Sequence, residues 1–221
     1  MKYALSLLVL AASVATANAS VTPATWSATT ASTASGSLPS GININAISTA
    51  PIVGLSPGQF GPSQWDGSLP LSPSAVGLTV LAEVNTFQTF TFDSPLVDGT
   101  LFYIENFDSS SLAEINVVGG TLALVDASPS ISLIPGTGTT NDFLQSSNAG
   151  FNGEGDAVLQ LSGDVTAISI GYHESVGANG VFYTFAEPAV SQAVPEPSSA
   201  MVMAGLFGLG GLIYVRRRKQ S

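Results

Sequence analysis

Few side chains in this chain can do chemistry, and their types narrow what chemistry that would be. There is one histidine, His173, and there is no cysteine. Lys and Arg are absent from Tyr3 through Val215. A thiol nucleophile, a Schiff-base lysine, a three-histidine zinc site and a phosphate clamp are all excluded from that stretch. His173 stands next to Glu174, a pair that could orient a general base. Gly54-Leu55-Ser56-Pro57-Gly58 spells G-x-S-x-G. A nucleophile elbow needs a strand before the serine and a helix after it, and here a proline follows the serine in Pro/Gly-rich sequence. No serine hydrolase is expected.

The carboxylates leave two further options. Glu154 with Asp156, or Glu105, Asp108 and Glu114, could supply a glycosidase pair, which sequence alone cannot place across a cleft. Asn152-Gly153-Glu154-Gly155-Asp156 alternates oxygen side chains with glycines. Calcium takes six to eight oxygen ligands on a flexible loop, so Asn152, Glu154 and Asp156 are a possible Ca2+ site, and Asn141-Asp142 a weaker one. The bland alternative is a polar hairpin loop. Trp65 reads as a core-edge residue or, more sharply, as a sugar-stacking one, with Phe102 and Tyr183 as further aromatic candidates. No catalytic set emerges, and the expectation is a protein that is not an enzyme.

The elements that must carry these residues are strands. Leu78–Asn85, Thr86–Phe92 and Thr100–Phe107 are rich in β-branched and aromatic residues. Ala113–Val118 and Thr121–Asp126 flank Gly119-Gly120, which predicts a hairpin. Ala157–Leu161 and Val165–Tyr172 flank Ser162-Gly163-Asp164, and Val181–Phe185 follows a glycine-bearing turn. No window has a useful helical period. The pattern predicts an all-β domain over residues 20–190, an antiparallel β-sandwich of jelly-roll type. Within it, 20–74 is Ser/Thr/Pro/Gly-rich and partly irregular. The stretch around Trp26 reads as an exposed strand or a lead-in, and Pro51–Pro73 mostly as loop.

The 221 residues carry 5 Lys plus Arg against 15 Asp plus Glu, a formal net charge of -10. Every carboxylate but Glu196 lies between residues 20 and 194, where there is no basic residue. A nucleic-acid partner is excluded for such a surface, and an anionic polymer would be repelled unless cations bridge the two.

The basic residues are confined to the ends. Lys2, the apolar run Ala4–Ala12 and Ala17-Asn18-Ala19 read as a signal peptide, residues 1–19, cut after Ala19. Ser198–Val215 is an uncharged run long enough for a transmembrane helix, followed by Arg216, Arg217, Arg218 and Lys219 in a basic cytoplasmic tail, 216–221. Ahead of it, in a linker over 191–197, stand Val194, Pro195, Glu196 and Pro197. Motif, apolar run and basic end occur in the order of the PEP-CTERM sorting signal, which this tail resembles. The resemblance implies recognition by an exosortase-type membrane peptidase. It also implies a chain held in the inner membrane before processing and then released to the surface or extracellular matrix of a Gram-negative bacterium. It implies no activity for the domain ahead of it. The resulting expectation is a non-enzymatic structural or interaction module associated with exopolysaccharide or biofilm. The alternatives are a lectin-like carbohydrate-binding module and, less favoured, a secreted glycoside hydrolase.

Overall fold

The computed structural model describes residues 21–57, 69, 71–72, 74–81, 83–107, 112–136, 141–146, 155–173 and 180–188. All of them belong to a compact unit, Met1–Ala189, and none to the second unit, Val190–Ser221. Among the described residues every regular element is a strand. In chain order these are β1 (Val21–Pro23), β2 (Thr25–Thr29), β3 (Thr33–Ser37), β4 (Asn43–Ser48), β5 (Ile52–Pro57), β6 (Val76–Val80) and β7 (Phe87–Phe92). Then follow β8 (Leu101–Phe107), β9 (Leu112–Ala127), β10 (Ile131–Ile134), β11 (Asp142–Ser146), β12 (Gly155–Tyr172) and β13 (Val181–Pro188).

All strand pairs are antiparallel, and the main path runs β2-β3-β4-β7-β12-β8-β13-β6-β5. The strands form one hydrogen-bonded sheet rather than the two separate layers of the expected sandwich. Its two path ends approach each other. The N–H of Ile52, the first residue of β5, donates to the Ala31 carbonyl just past β2 at 2.9 Å, and β2 lies against both β5 and β6. The sheet is thus nearly closed into a barrel, which removes most of its exposed edges.

Alternation decides what fills the inside. On β7, Gln88, Phe90 and Phe92 point inward, while Phe87, Thr89 and Thr91 point outward. Phe90, Phe92, Phe102, Tyr183 and Phe185 meet in the core, with Phe102 stacked on Phe185 at 4.6 Å and Phe90 edge-on to Phe102 at 5.5 Å. Such pairs add about 0.5–1.5 kcal/mol each beyond their buried area. Tyr172 and Tyr183 are fully buried and share a hydrogen bond between their hydroxyls, so neither polar group is left unpaired. Burial pushes both phenols above their ordinary range.

Three local readings are corrected. Gly119-Gly120 does not turn a hairpin: β9 runs through it, and β12 runs through Ser162-Gly163-Asp164 beside it. The two long strands pair along their length with a register shift between Gly163 and Ala167. A Cβ on Gly120 would stand 2.4 Å from the Ser162 carbonyl oxygen, and Gly119 adopts φ +87°, so both glycines serve a bend with close backbone approach. Pro51–Pro73 is not mostly loop at its start, because Ile52–Pro57 is a strand. Its proline is tolerated at the end of an outer strand. Trp26 is neither exposed nor in a lead-in: it is buried on β2, and its indole N–H reaches the Thr184 hydroxyl at 3.4 Å.

Candidate functional site

With no Lys or Arg in the body, several carboxylates among the described residues are held by uncharged donors. Glu187 accepts from the Ser40 N–H at 2.7 Å and the Ser40 hydroxyl at 2.6 Å. Asp93 accepts from the Asn43 amide and N–H, which hold its carboxyl below the usual range. The Leu69 N–H reaches Asp126 at 2.7 Å, and the Gly136 N–H reaches Asp142 at 2.8 Å. These bonds fasten turns and strand ends. They are structural.

Glu114 differs because its partners gather on an open face. Register aligns four strands there: Phe87 on β7 opposite Gly171 on β12, Gly171 opposite Glu114 on β9, and Glu114 opposite Phe143 on β11. Strands about 4.8 Å apart put Phe87 and Phe143 about 14 Å from each other across the sheet. The Phe87 ring, 49% exposed at residue level, lies over Gly171, where a Cβ would meet its Cε1 at 2.7 Å. A side chain at position 171 would push the ring out of this position.

Two residues after Gly171, just past the end of β12, the chain reaches His173. Its Nε2 is 2.8 Å from Glu114 Oε2, and the Asn141 side-chain amide donates to Glu114 Oε1. These bonds, His173 first and Asn141 second, hold the Glu114 carboxyl below its ordinary value. The His173 ring lies 6.2 Å from that of Phe143. Phe87, Glu114, Asn116, Asn141, Ser169 and Gly171 line a depression of about 250 Å³. Just along the strands, the Thr89 and Ser169 hydroxyls pair at 3.1 Å. The same outer face carries a second depression of about 460 Å³ over β2, β3, β4 and β7, lined by short polar side chains such as Ser35, Asn45 and Thr91.

The residues singled out from sequence are distributed differently. His173 is paired with Glu114, 59 positions away, while Glu174 lies outside the described residues. Ser56 sits inside β5 with its hydroxyl 2.7 Å from that of Thr79, not on a strand-to-helix turn. Phe102 and Tyr183 are fully buried and cannot stack on a sugar. Trp65, Asp108, Asn152 and Glu154 lie outside the described residues. Asp156 is 2% exposed at the start of β12, where its N–H bonds the Ser128 hydroxyl at 2.9 Å and its carbonyl accepts from the Ser128 N–H. Among the described residues no group of three His, Asp or Glu is placed to hold a metal ion. Phe87 and Phe143 were missed. The signal for Phe87 was its phase: it stands one position off the alternation set by Phe90 and Phe92.

Fold and face together define an all-β, antiparallel, nearly closed barrel with an open outer surface of aromatic, amide, hydroxyl and carboxylate groups. Residues 193–219 match the family model of the PEP-CTERM protein-sorting motif. That motif implies an exported protein, anchored in the membrane by its C-terminal tail before processing and recognised by exosortase. No curated protein and no solved structure matches the chain. Among the described residues no helix is long and apolar enough to cross a membrane. The expected signal peptide (Ala17, Ala19), Val194–Pro197, the apolar run Ser198–Val215 and the Arg216–Lys219 cluster lie outside the described residues.

Proposed function

We propose that this is an exosortase-sorted protein whose β domain acts, once exported, as a non-enzymatic interaction module at the cell surface or in the extracellular matrix of a Gram-negative bacterium. The match over residues 193–219 carries the sorting half of this reading. The openness of the Glu114 face supports the binding half. An acid–base pair gains most where a closing site excludes water, and His173 and Glu114 side chains are 41% and 31% exposed. A glycosidase needs two carboxyl groups facing one bond, about 5–10 Å apart. Glu114 is the only carboxylate among the described residues lining its depression.

The test is fractionation of producing cells carrying the full chain. The expected result is a shortened product at the surface or in the medium. Glu196→Ala, or loss of the exosortase, should leave the full-length chain in the inner membrane. Surface delivery and processing indifferent to both changes would refute the sorting half. Glycoside hydrolysis by the purified chain, lost in Glu114→Gln, would refute the non-enzymatic half.

A further inference from the structure

We propose that the row Phe87, Gly171, Glu114, Phe143 is the binding site of a neutral polysaccharide chain, laid across the strands on the outer face of the sheet. The assignment rests on the reading of the domain as an interaction module and names its site and ligand class.

A half-exposed phenylalanine on the outside of a sheet, with one ring edge against Gly171, presents apolar surface of the size that the C–H face of a sugar ring covers. Hydroxyls of the same sugar need donors and acceptors in the plane of the row. The Glu114 carboxylate supplies acceptors, Asn116 a donor and an acceptor, and His173 a ring nitrogen. The hydrogen bonds from His173 and Asn141 fix the carboxylate before a ligand arrives, so little ordering is needed on binding. Phe143, about 14 Å from Phe87, marks the far end of a track longer than one sugar. The charge of the ligand follows from composition. A body with carboxylates and no Lys or Arg repels anionic polymers, and the carboxylate of the row already accepts from His173 and Asn141, so it is not a bare anion awaiting a cation.

Gly171 is the positioning residue. A Cβ there would meet the end of the Phe87 ring, a group that can rotate away, so Gly171→Ala lifts the ring off the face without deleting it.

The experiment is affinity electrophoresis of the full chain in a polyoxyethylene detergent. Native gels would contain hydroxyethylcellulose, amylose, galactomannan or arabinogalactan, with alginate and chitosan as the anionic and cationic arms. Retardation by at least one neutral polymer is expected, and none by alginate. Phe87→Ala should weaken it about tenfold or more, and Gly171→Ala and Glu114→Gln several-fold. Val53→Ala, exposed on β5 away from the row, should leave it unchanged. Circular dichroism checks that each variant is folded. Retardation by no neutral polymer, or by chitosan alone, overturns the assignment. So does neutral-polymer retardation that folded Phe87→Ala and Gly171→Ala both retain. The fractionation result is independent of all these outcomes, so sorting can stand while this site fails.

Discussion

The inner and outer faces of β7 use the same residue type for opposite ends. Phe90 and Phe92 point inward and join Phe102, Tyr183 and Phe185 in a packed aromatic core. Phe87, one position out of phase, points outward and lies exposed over Gly171. Composition cannot separate them. Parity along the strand does, because a shift of one residue exchanges the faces of a sheet. A phenylalanine inside contributes to stability. A phenylalanine outside contributes little to stability and is free to meet a ligand.

Substitutions can break that comparison. The largest effect is expected inside: Phe102→Ala should lower unfolding free energy by about 3–5 kcal/mol, read from denaturant unfolding. Tyr183→Phe should cost about 1–3 kcal/mol, because it leaves the buried Tyr172 hydroxyl without its partner. Phe87→Ala should stay within about 1 kcal/mol of the parent in the same assay, since its ring is half in water. A loss at Phe87 as large as that at Phe102 would show that the outer ring is a packing residue too.

The smallest effect sharpens the account of Glu114. Its carboxyl is held below the ordinary glutamate value of 4.5 by His173 and then Asn141. A depressed folded pKa adds stability above the unfolded value, and that stability disappears as pH falls through the folded value. The parent should therefore exceed Glu114→Gln slightly in melting temperature at neutral pH, and the gap should close in acid below pH 4.5. A gap that persists at the acid end would mean the pair contributes through packing and not charge. The side chains are partly exposed, so solvent keeps the effect small.

Much of this architecture was legible in the residues. Strand content followed from β-branched and aromatic runs such as Thr86–Phe92, and the tail from the order of Pro-Glu-Pro, apolar run and basic cluster. Two things were hidden, for physical reasons. Gly119-Gly120 and Ser162-Gly163-Asp164 look like turns because glycine relaxes the backbone at bends and turns alike. Only the pairing of β9 with β12 shows that they are facing bends. The Glu114 site joins residues from β7, β9, β11 and β12 spread over more than 80 positions, and register alone brings them into one row. His173 stands out in the sequence as the sole histidine, yet its carboxylate partner is 59 positions away and not its neighbour in sequence.

The most direct test of the outer-face account is the affinity of Phe87→Trp beside Phe87→Ala for the neutral polymer that retards the parent. If the exposed ring stacks on sugar, the order should be Trp at least equal to Phe, and Phe about tenfold above Ala. Equal affinity of the folded Trp, Phe and Ala forms would contradict it, and the outer face of β7 would then be a solvent boundary and no more.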